Sequence, residues 1–468
     1  MVFSSLTFLF LFLPPVAALY FIVPRRAWRN AVLLIASLVF YAWGEPKYVL
    51  LMLAAALVAW LGGLGMEARP MRARPKARKA LFAAVVCLLT SNLFVFKYLN
   101  FAADNLGALM GRDLGVAAVA LPIGISFYTF QILSYVIDLY RGSVEVQKSY
   151  FRLLLYVSCF PQLIAGPIVR YQTVERALSD RRETADDAAA GARRFILGLA
   201  KKVLLANGLA EFPDMIYSAW PSIFGSAMYW VAAVAFSLQI YFDFSGYSDM
   251  AIGLGRIFGF RFPENFEHPY TARSVTEFWR RWHISLSSWF RDYVYIPLGG
   301  NRVSRGRWVF NLLLVWALTG LWHGAQWNFI LWGLYYGLIL LLEKLFLQKL
   351  LKRLPGAVQW LYTAFCVTLG WVLFDRTDLG QLLKILRHLF AFAPTDWPRV
   401  LVWDGDFLYL FVYLPLGLLC MLPLLRRFRE KDGAGWTALK HLCSLALLLL
   451  CVAVLLSSQY NPFIYFRF

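Results

Sequence analysis

Two of only five histidines in this 468-residue chain fall between Ser274 and Asn328. The stretch reads SVTEFWRRWHISLSSWFRDYVYIPLGG, then a short basic run, then an apolar segment ending in LTGLWHGAQWN. His283 sits among arginines and serines, whereas His323 lies deep in a hydrophobic run between Gly320 and Gly324. An imidazole, with an ordinary pKa of about 6.5, suits proton abstraction from a hydroxyl near neutral pH. A positioned base of this kind contributes about 10²–10⁴-fold to a reaction. An ionisable side chain kept at membrane depth is costly, which makes His323 a functional-site candidate.

Other chemistries find little support. GYSDM at Gly246 lacks the second glycine of GxSxG, so a serine acyl-enzyme has no elbow to sit on. GLGRIFG from Gly253 is one residue out of register for GxGxxG and lacks a βαβ context. There is no HExxH, and two histidines without an acidic cluster make a poor metal site. The six cysteines, at 87, 159, 366, 420, 443 and 451, stand singly in apolar surroundings. They read as core-packing residues and suggest neither zinc nor disulfides. Direct transfer is the chemistry that is left: a base deprotonates an acceptor hydroxyl, which attacks an activated acyl group delivered to the same point.

The elements that must position these residues are membrane helices. The chain is 60% hydrophobic, 17% aromatic and 16% charged, against about 45–50% apolar and 25% charged in soluble domains. No stretch is polar and long enough to fold as a separate soluble domain, so residues 1–468 read as one membrane-embedded domain. The net charge of +19 reflects Lys and Arg clusters that punctuate apolar runs. Such clusters mark cytoplasmic loops and, with few stacking aromatics, do not mark a nucleic-acid partner.

Phe3–Val23 lacks a basic n-region and is followed by Arg25, Arg26 and Arg29, which predicts an uncleaved first span with its N-terminus outside. Spans follow at Ala31–Trp43 and Tyr48–Gly65, then the basic loop Glu67–Ala80, then Leu81–Phe96. Phe101–Ala117 reads as an outer loop or short interfacial helix, and Leu121–Tyr140 as a span. LLLYVSCFPQLIAGPIVRYQ is apolar but broken by Pro161, Gly166 and Pro167, which predicts a re-entrant segment whose freed backbone groups protein must cover. Val203–Trp220 is a weak span, Ala227–Phe244 a clearer one, and Ala357–Phe374 another. Leu382–Phe392 reads as an amphipathic interfacial helix, Phe407–Leu425 as a span, and His441–Leu456 as the last span, leaving NPFIYFRF outside.

Around the histidines, Ser274 with Glu277 forms a capping box that predicts a helix from Val275. On one continuous helix Trp279, Leu286 and Phe290 share the apolar face with His283, and the Trp- and Arg-rich element would lie along the cytoplasmic interface. From Trp308 to His323 is about 22 Å of helix, less than the roughly 30 Å hydrocarbon core. The segment therefore predicts a hairpin whose apex, GLWHGAQWN, stops within the bilayer. Gly320 and Gly324 would let the backbone turn or a substrate approach, while Trp322, Gln326, Trp327 and Asn328 supply polar edges and stacking faces.

SLQIYFDFSGYSDMAIGLGRIFGFRFPENF, FWRRWHISLSSWFRDYVYIPLGG and LWHGAQWNFILWG resemble the membrane-bound O-acyltransferase (MBOAT) superfamily. PIGISFYTFQILSYVIDLYRG, FPQLIAGPI and NPFIYFRF are similar to its bacterial polysaccharide branch, which includes alginate O-acetylation proteins. The likeness runs from about Phe3 to Phe468. It implies an all-α, polytopic transmembrane fold with re-entrant and interfacial helices around a central tunnel. It also implies transfer of an acyl group from a cytoplasmic thioester, acetyl-CoA or another, to a hydroxyl. The near-invariant histidine of the family falls on His323, which the resemblance makes the general base. The second signature position, His or Asn, falls on His283, which would position donor or substrate or support the tunnel. Trp322, Gln326, Asn328, Trp289, Arg291, Tyr295 and Asp243 are then candidates to line tunnel or substrate site.

For that branch the resemblance implies an inner-membrane protein with both termini periplasmic and no permanently bound cofactor. A separate periplasmic acetyltransferase or esterase-like partner would complete acetylation of an exopolysaccharide or cell-wall glycan. Alternatives are D-alanyl transfer toward teichoic acid from an acyl-carrier protein, peptidoglycan O-acetylation, acylation of a protein or lipid, and a non-enzymatic polysaccharide transport subunit.

Overall fold

In the computed structural model, residues 1–218, 223–398, 409–425, 431 and 433–457 are described. The described residues are mostly helical, with no strand among them. Among the described residues, six helices are long and apolar enough to cross a membrane: Val49–Glu67, Pro75–Met110, Ser226–Ile257, Trp327–Leu351, Gly356–Asp375 and Gly435–Ser457. The chain is an all-α, multi-pass membrane protein. It divides into two compact units, one of residues 1–195 and 248–263, the other of residues 196–247 and 264–468.

The first unit is built from α1 (Thr7–Ile22), α2 (Arg26–Ala42), α3 (Val49–Glu67), α4 (Pro75–Met110), α5 (Ile125–Arg141), α6 (Tyr150–Ser158), α7 (Tyr171–Ser179) and α8 (Ala185–Ala200) as far as Phe195. α4 departs from expectation. It continues through Phe101 to Met110 where the sequence predicted a loop or separate interfacial helix. The run contains no glycine or proline between Pro75 and Gly107, so nothing in the backbone stops it, and Gly111 in the left-handed region closes it.

The Pro- and Gly-broken segment behaves as expected in one respect: its backbone is interrupted and enclosed by protein. α6 ends at Ser158, a single turn occupies Phe160–Leu163, and residues 153–169 are buried throughout. Ser37 Oγ accepts from Phe160 N at 3.0 Å, Gln162 Nε2 donates to Tyr156 O at 2.6 Å, and Tyr156 Oη donates to Val169 O at 2.9 Å. Side chains thus replace the missing helical ladder, as an interior without water requires.

The second unit carries both histidines. It contains α9 (Asn207–Ser218), most of α10 (Ser226–Ile257), α11 (Val275–Arg281), α12 (Ile284–Phe290), α13 (Arg305–His323), α14 (Trp327–Leu342), α15 (Gly356–Asp375), α16 (Leu379–Leu389), α17 (Leu410–Cys420) and α18 (Ala434–Ser457). The weak span predicted at Val203–Trp220 begins in a π-helical turn, Lys201–Ala206, that leads into α9, and is not among the six long apolar helices. Trp220 and NPFIYFRF lie outside the described residues. α10 runs well beyond the span predicted to end at Phe244, because DFSGYSD continues the helix instead of leaving it.

α13 and α14 form a hairpin as expected, turning through Gly324, Ala325 and Gln326. The second arm, however, continues helically to Leu351 and is long enough to cross a membrane, so arm length does not confine the turn to the bilayer. The glycines act here in packing. A Cβ on Gly320 would collide with the Phe329 carbonyl, and one on Gly333 with the Trp316 carbonyl. The two helices therefore pack backbone to backbone, a contact that only a residue without a side chain allows.

Candidate active site

His323 is the last residue of α13, so the hairpin delivers its ring directly to the turn. The ring is 7% exposed and is enclosed edge-to-face by Trp322, Trp332 and Phe374, with centroids 4.9, 5.0 and 5.1 Å away. Trp332 comes from α14 and Phe374 from α15, so three consecutive helices build this enclosure. The enclosure keeps the imidazole out of bulk water while leaving it at the turn between two helices.

His283 does not lie within a continuous helix as the sequence predicted. α11 ends at Arg281, and His283 adopts φ 44° and ψ 54°, in the left-handed region, before α12 begins. The capping box at the start of α11 is present: Ser274 Oγ accepts from Glu277 N at 3.0 Å, and the Glu277 carboxylate accepts from Arg273 N at 2.8 Å. The break at its far end is held by Asn265, which is fully buried. Asn265 O accepts from Ile284 N at 3.0 Å, and Asn265 Oδ1 accepts from Ser285 N at 3.2 Å and from Ser285 Oγ at 2.8 Å.

His283 Nδ1 is 3.1 Å from the same Asn265 oxygen. An atom that already accepts from a backbone N–H is an acceptor, so Nδ1 must carry the proton and donate. The other nitrogen, Nε2, then presents a lone pair. It is buried, and among the described residues no hydrogen-bond partner reaches it. Burial pushes the His283 imidazole down to about 3, keeping it neutral at physiological pH. Its ring meets Phe244 edge-on at 4.6 Å and Trp322 at 5.8 Å. Trp322 thus touches both imidazoles, and the two histidines chosen from sequence belong to one aromatic cluster.

The model of the MBOAT, membrane-bound O-acyltransferase, family matches residues 144–374. The chain is 39% identical over 492 residues to the probable alginate O-acetylase AlgI of Pseudomonas putida, with all of both chains covered. It is 43% identical over 397 residues to the probable alginate O-acetylase AlgI of Pseudomonas aeruginosa, covering 84% of this chain and 75% of that one. The chain belongs to the membrane-bound O-acyltransferase family. A further relative, the peptidoglycan O-acetyltransferase of Helicobacter pylori, is 32% identical over 526 residues, covering all of this chain and 98% of that one.

The remaining candidates in this O-acyltransferase occupy separate places. Asn328 is fully buried, and its amide donates to Phe374 O at 3.2 Å, tying the start of α14 to the end of α15 beside His323. Gln326 is exposed at the hairpin turn. Asp243, on α10, pairs with Lys202 of the π-helical turn at 2.7 Å, both side chains being almost fully buried. Trp289 is buried against Phe290 and Tyr293. Arg291 and Tyr295 line a cavity of about 400 Å³ with Ile296, Asn301, Trp308 and Lys344, a set that includes neither histidine.

Asn265 escaped the sequence reading although it lies within the motif RFPENF. A single amide eighteen positions before His283 carries no periodic signal, and its role depends on a contact that only folding creates.

Proposed function

We propose that this acyltransferase moves an acetyl group from a cytoplasmic thioester, acetyl-CoA in the simplest case, to hydroxyls of an exopolysaccharide such as alginate, with His323 as general base. The observation that carries this reading is the buried His323 ring at the hairpin turn, joined through Trp322 to His283 in one aromatic cluster. His323 takes the proton of the acceptor hydroxyl as its oxygen attacks the thioester carbonyl. The tetrahedral intermediate collapses, the thiolate leaves, and the proton held on the imidazolium passes to that thiolate. His283, neutral and with its Nε2 lone pair available, accepts a hydrogen bond from the acceptor or from an amide of the donor arm, and so orients one against the other.

In this reading residues 1–468 work as one domain in the inner membrane, with both termini in the periplasm. Trp322 and Gln326 contact substrate, and the acetyl group reaches the polymer directly or through a separate periplasmic transferase or esterase-like protein. The names of the relatives at 39% and 43% identity support alginate as acceptor. The full-length match to a peptidoglycan O-acetyltransferase makes peptidoglycan the second acceptor to test.

Membranes carrying the chain and its partner, supplied with labelled acetyl-CoA and alginate oligosaccharides, provide the assay. His323→Ala is expected to lower transfer at least ~10²-fold at unchanged protein level. Full activity in that variant would overturn the reading. Peptidoglycan fragments as acceptor, and a D-alanyl carrier protein as donor, distinguish the alternatives by which pair turns over.

A further inference from the structure

Glu343 is the single acidic residue in the apolar run from Phe329 to Leu347, and it is 1% exposed. A carboxylate in that setting has to be satisfied by donors or it would be neutralised. The donors come from one place in particular. Glu343 Oε1 accepts from Val275 N at 2.8 Å, and Oε2 accepts from Thr276 N at 2.8 Å and from Thr276 Oγ1 at 2.5 Å. Tyr362 Oη, on α15, adds a fourth bond to Oε1 at 3.2 Å. Val275 and Thr276 are the first two residues of α11, whose opening N–H groups have no partner within their own helix. The carboxylate therefore completes the N-terminus of α11, where the helix dipole also favours negative charge.

The two structures joined in this way are the two that carry the histidines. Glu343 follows directly on α14, the second arm of the hairpin that ends in His323 at its turn. α11 leads within two residues of its end to His283. We propose that Glu343 is a positioning residue for acyl transfer: it locks α11 to the hairpin and so sets how the His283 and His323 rings face a shared substrate. It touches neither reacting atom. This inference rests on the catalytic roles proposed above for the two histidines.

The test is the steady-state kinetics of Glu343→Gln in proteoliposomes, with transfer expressed per folded molecule. Glutamine replaces one acceptor oxygen with an NH₂ group that faces donors, so α11 loses part of its anchor. The expected result is a kcat lowered about tenfold, a thioester KM within about twofold of the parent, and an unchanged pH profile. If kcat per folded molecule is retained, or falls only in step with the folded fraction, Glu343 is structural and the inference is overturned. If the acid limb of the pH profile disappears, Glu343 carries a proton, which overturns it equally. Should Glu343→Gln not fold, Thr276→Val removes one hydrogen bond while leaving the carboxylate and is expected to lower kcat about threefold; no change would overturn the inference. His323→Ala, run alongside, separates the two readings: if it is inactive while Glu343→Gln is not, only the positioning role fails.

Discussion

At the scale of single residues, the site turns on two imidazoles held differently. His323 is packed among aromatic rings, whereas His283 relies on one amide oxygen that also takes two hydrogen bonds from Ser285. That amide can be turned into a test. Asn265→Asp places a carboxylate at hydrogen-bond distance from Nδ1–H and favours the imidazolium. The pKa of His283 is expected to rise from about 3 and the acid limb of the rate profile to move up with it, read as kcat/KM between pH 4 and 8. The same shift governs stability. In the folded chain His283 binds its proton only near pH 3, whereas an unfolded histidine binds it near 6.5, so the unfolded state holds more protons between these values. The contribution of His283 is therefore complete above about pH 6.5 and is lost as pH falls toward 3. Thermal unfolding in detergent should show the parent losing more stability over that window than His283→Asn.

At the scale of elements, the hairpin was legible and the break before α12 was not. The hairpin is written locally. Basic residues bracket an apolar stretch, and Gly320, Gly324 and Gly333 occur where its two arms meet. The break at His283 has no local signature. There is no proline or glycine from Val275 to Ile296, the capping box gives a sound start, and the apolar spacing continues through Phe290. Helix propensity alone would carry the helix on. It stops because Asn265 and the hydrogen bond from Glu267 N to Arg281 O supply competing partners from another segment. Glu343 was missed for a related reason, since its partners lie 67 and 68 positions away. The hairpin itself predicts the effect of Gly333→Ala. The new methyl would meet the Trp316 carbonyl, which cannot move without bending α13. A loss of about 1–3 kcal/mol is expected from overpacking, measured as a lowered melting temperature with the His323 environment disturbed.

At the scale of the whole molecule, the sequence made the helical membrane class plain through composition and charge spacing, and the six long apolar helices agree with it. Sidedness is a prediction from the same charges. The connection from α3 and the start of α4 carry Arg69, Arg72, Arg74, Lys76, Arg78 and Lys79, and should face the cytoplasm. Single cysteines introduced at Arg74 and Lys76, both exposed, in a chain whose own cysteines are replaced, are expected to react with an impermeant maleimide in inverted vesicles and not in intact spheroplasts. Labelling from the outer face would reverse the whole arrangement. It would also place the thioester entry on the wrong side for an acetyl-CoA donor.

The left-handed backbone at position 283 restricts what evolution or an engineer can install there. Few side chains tolerate that bend, with histidine, asparagine and aspartate the ones most often found in it and β-branched residues the worst suited. A redesign of this active site therefore chooses from a short alphabet in which every letter is small or polar. Asparagine is the letter that would remove the imidazole while leaving the corner intact.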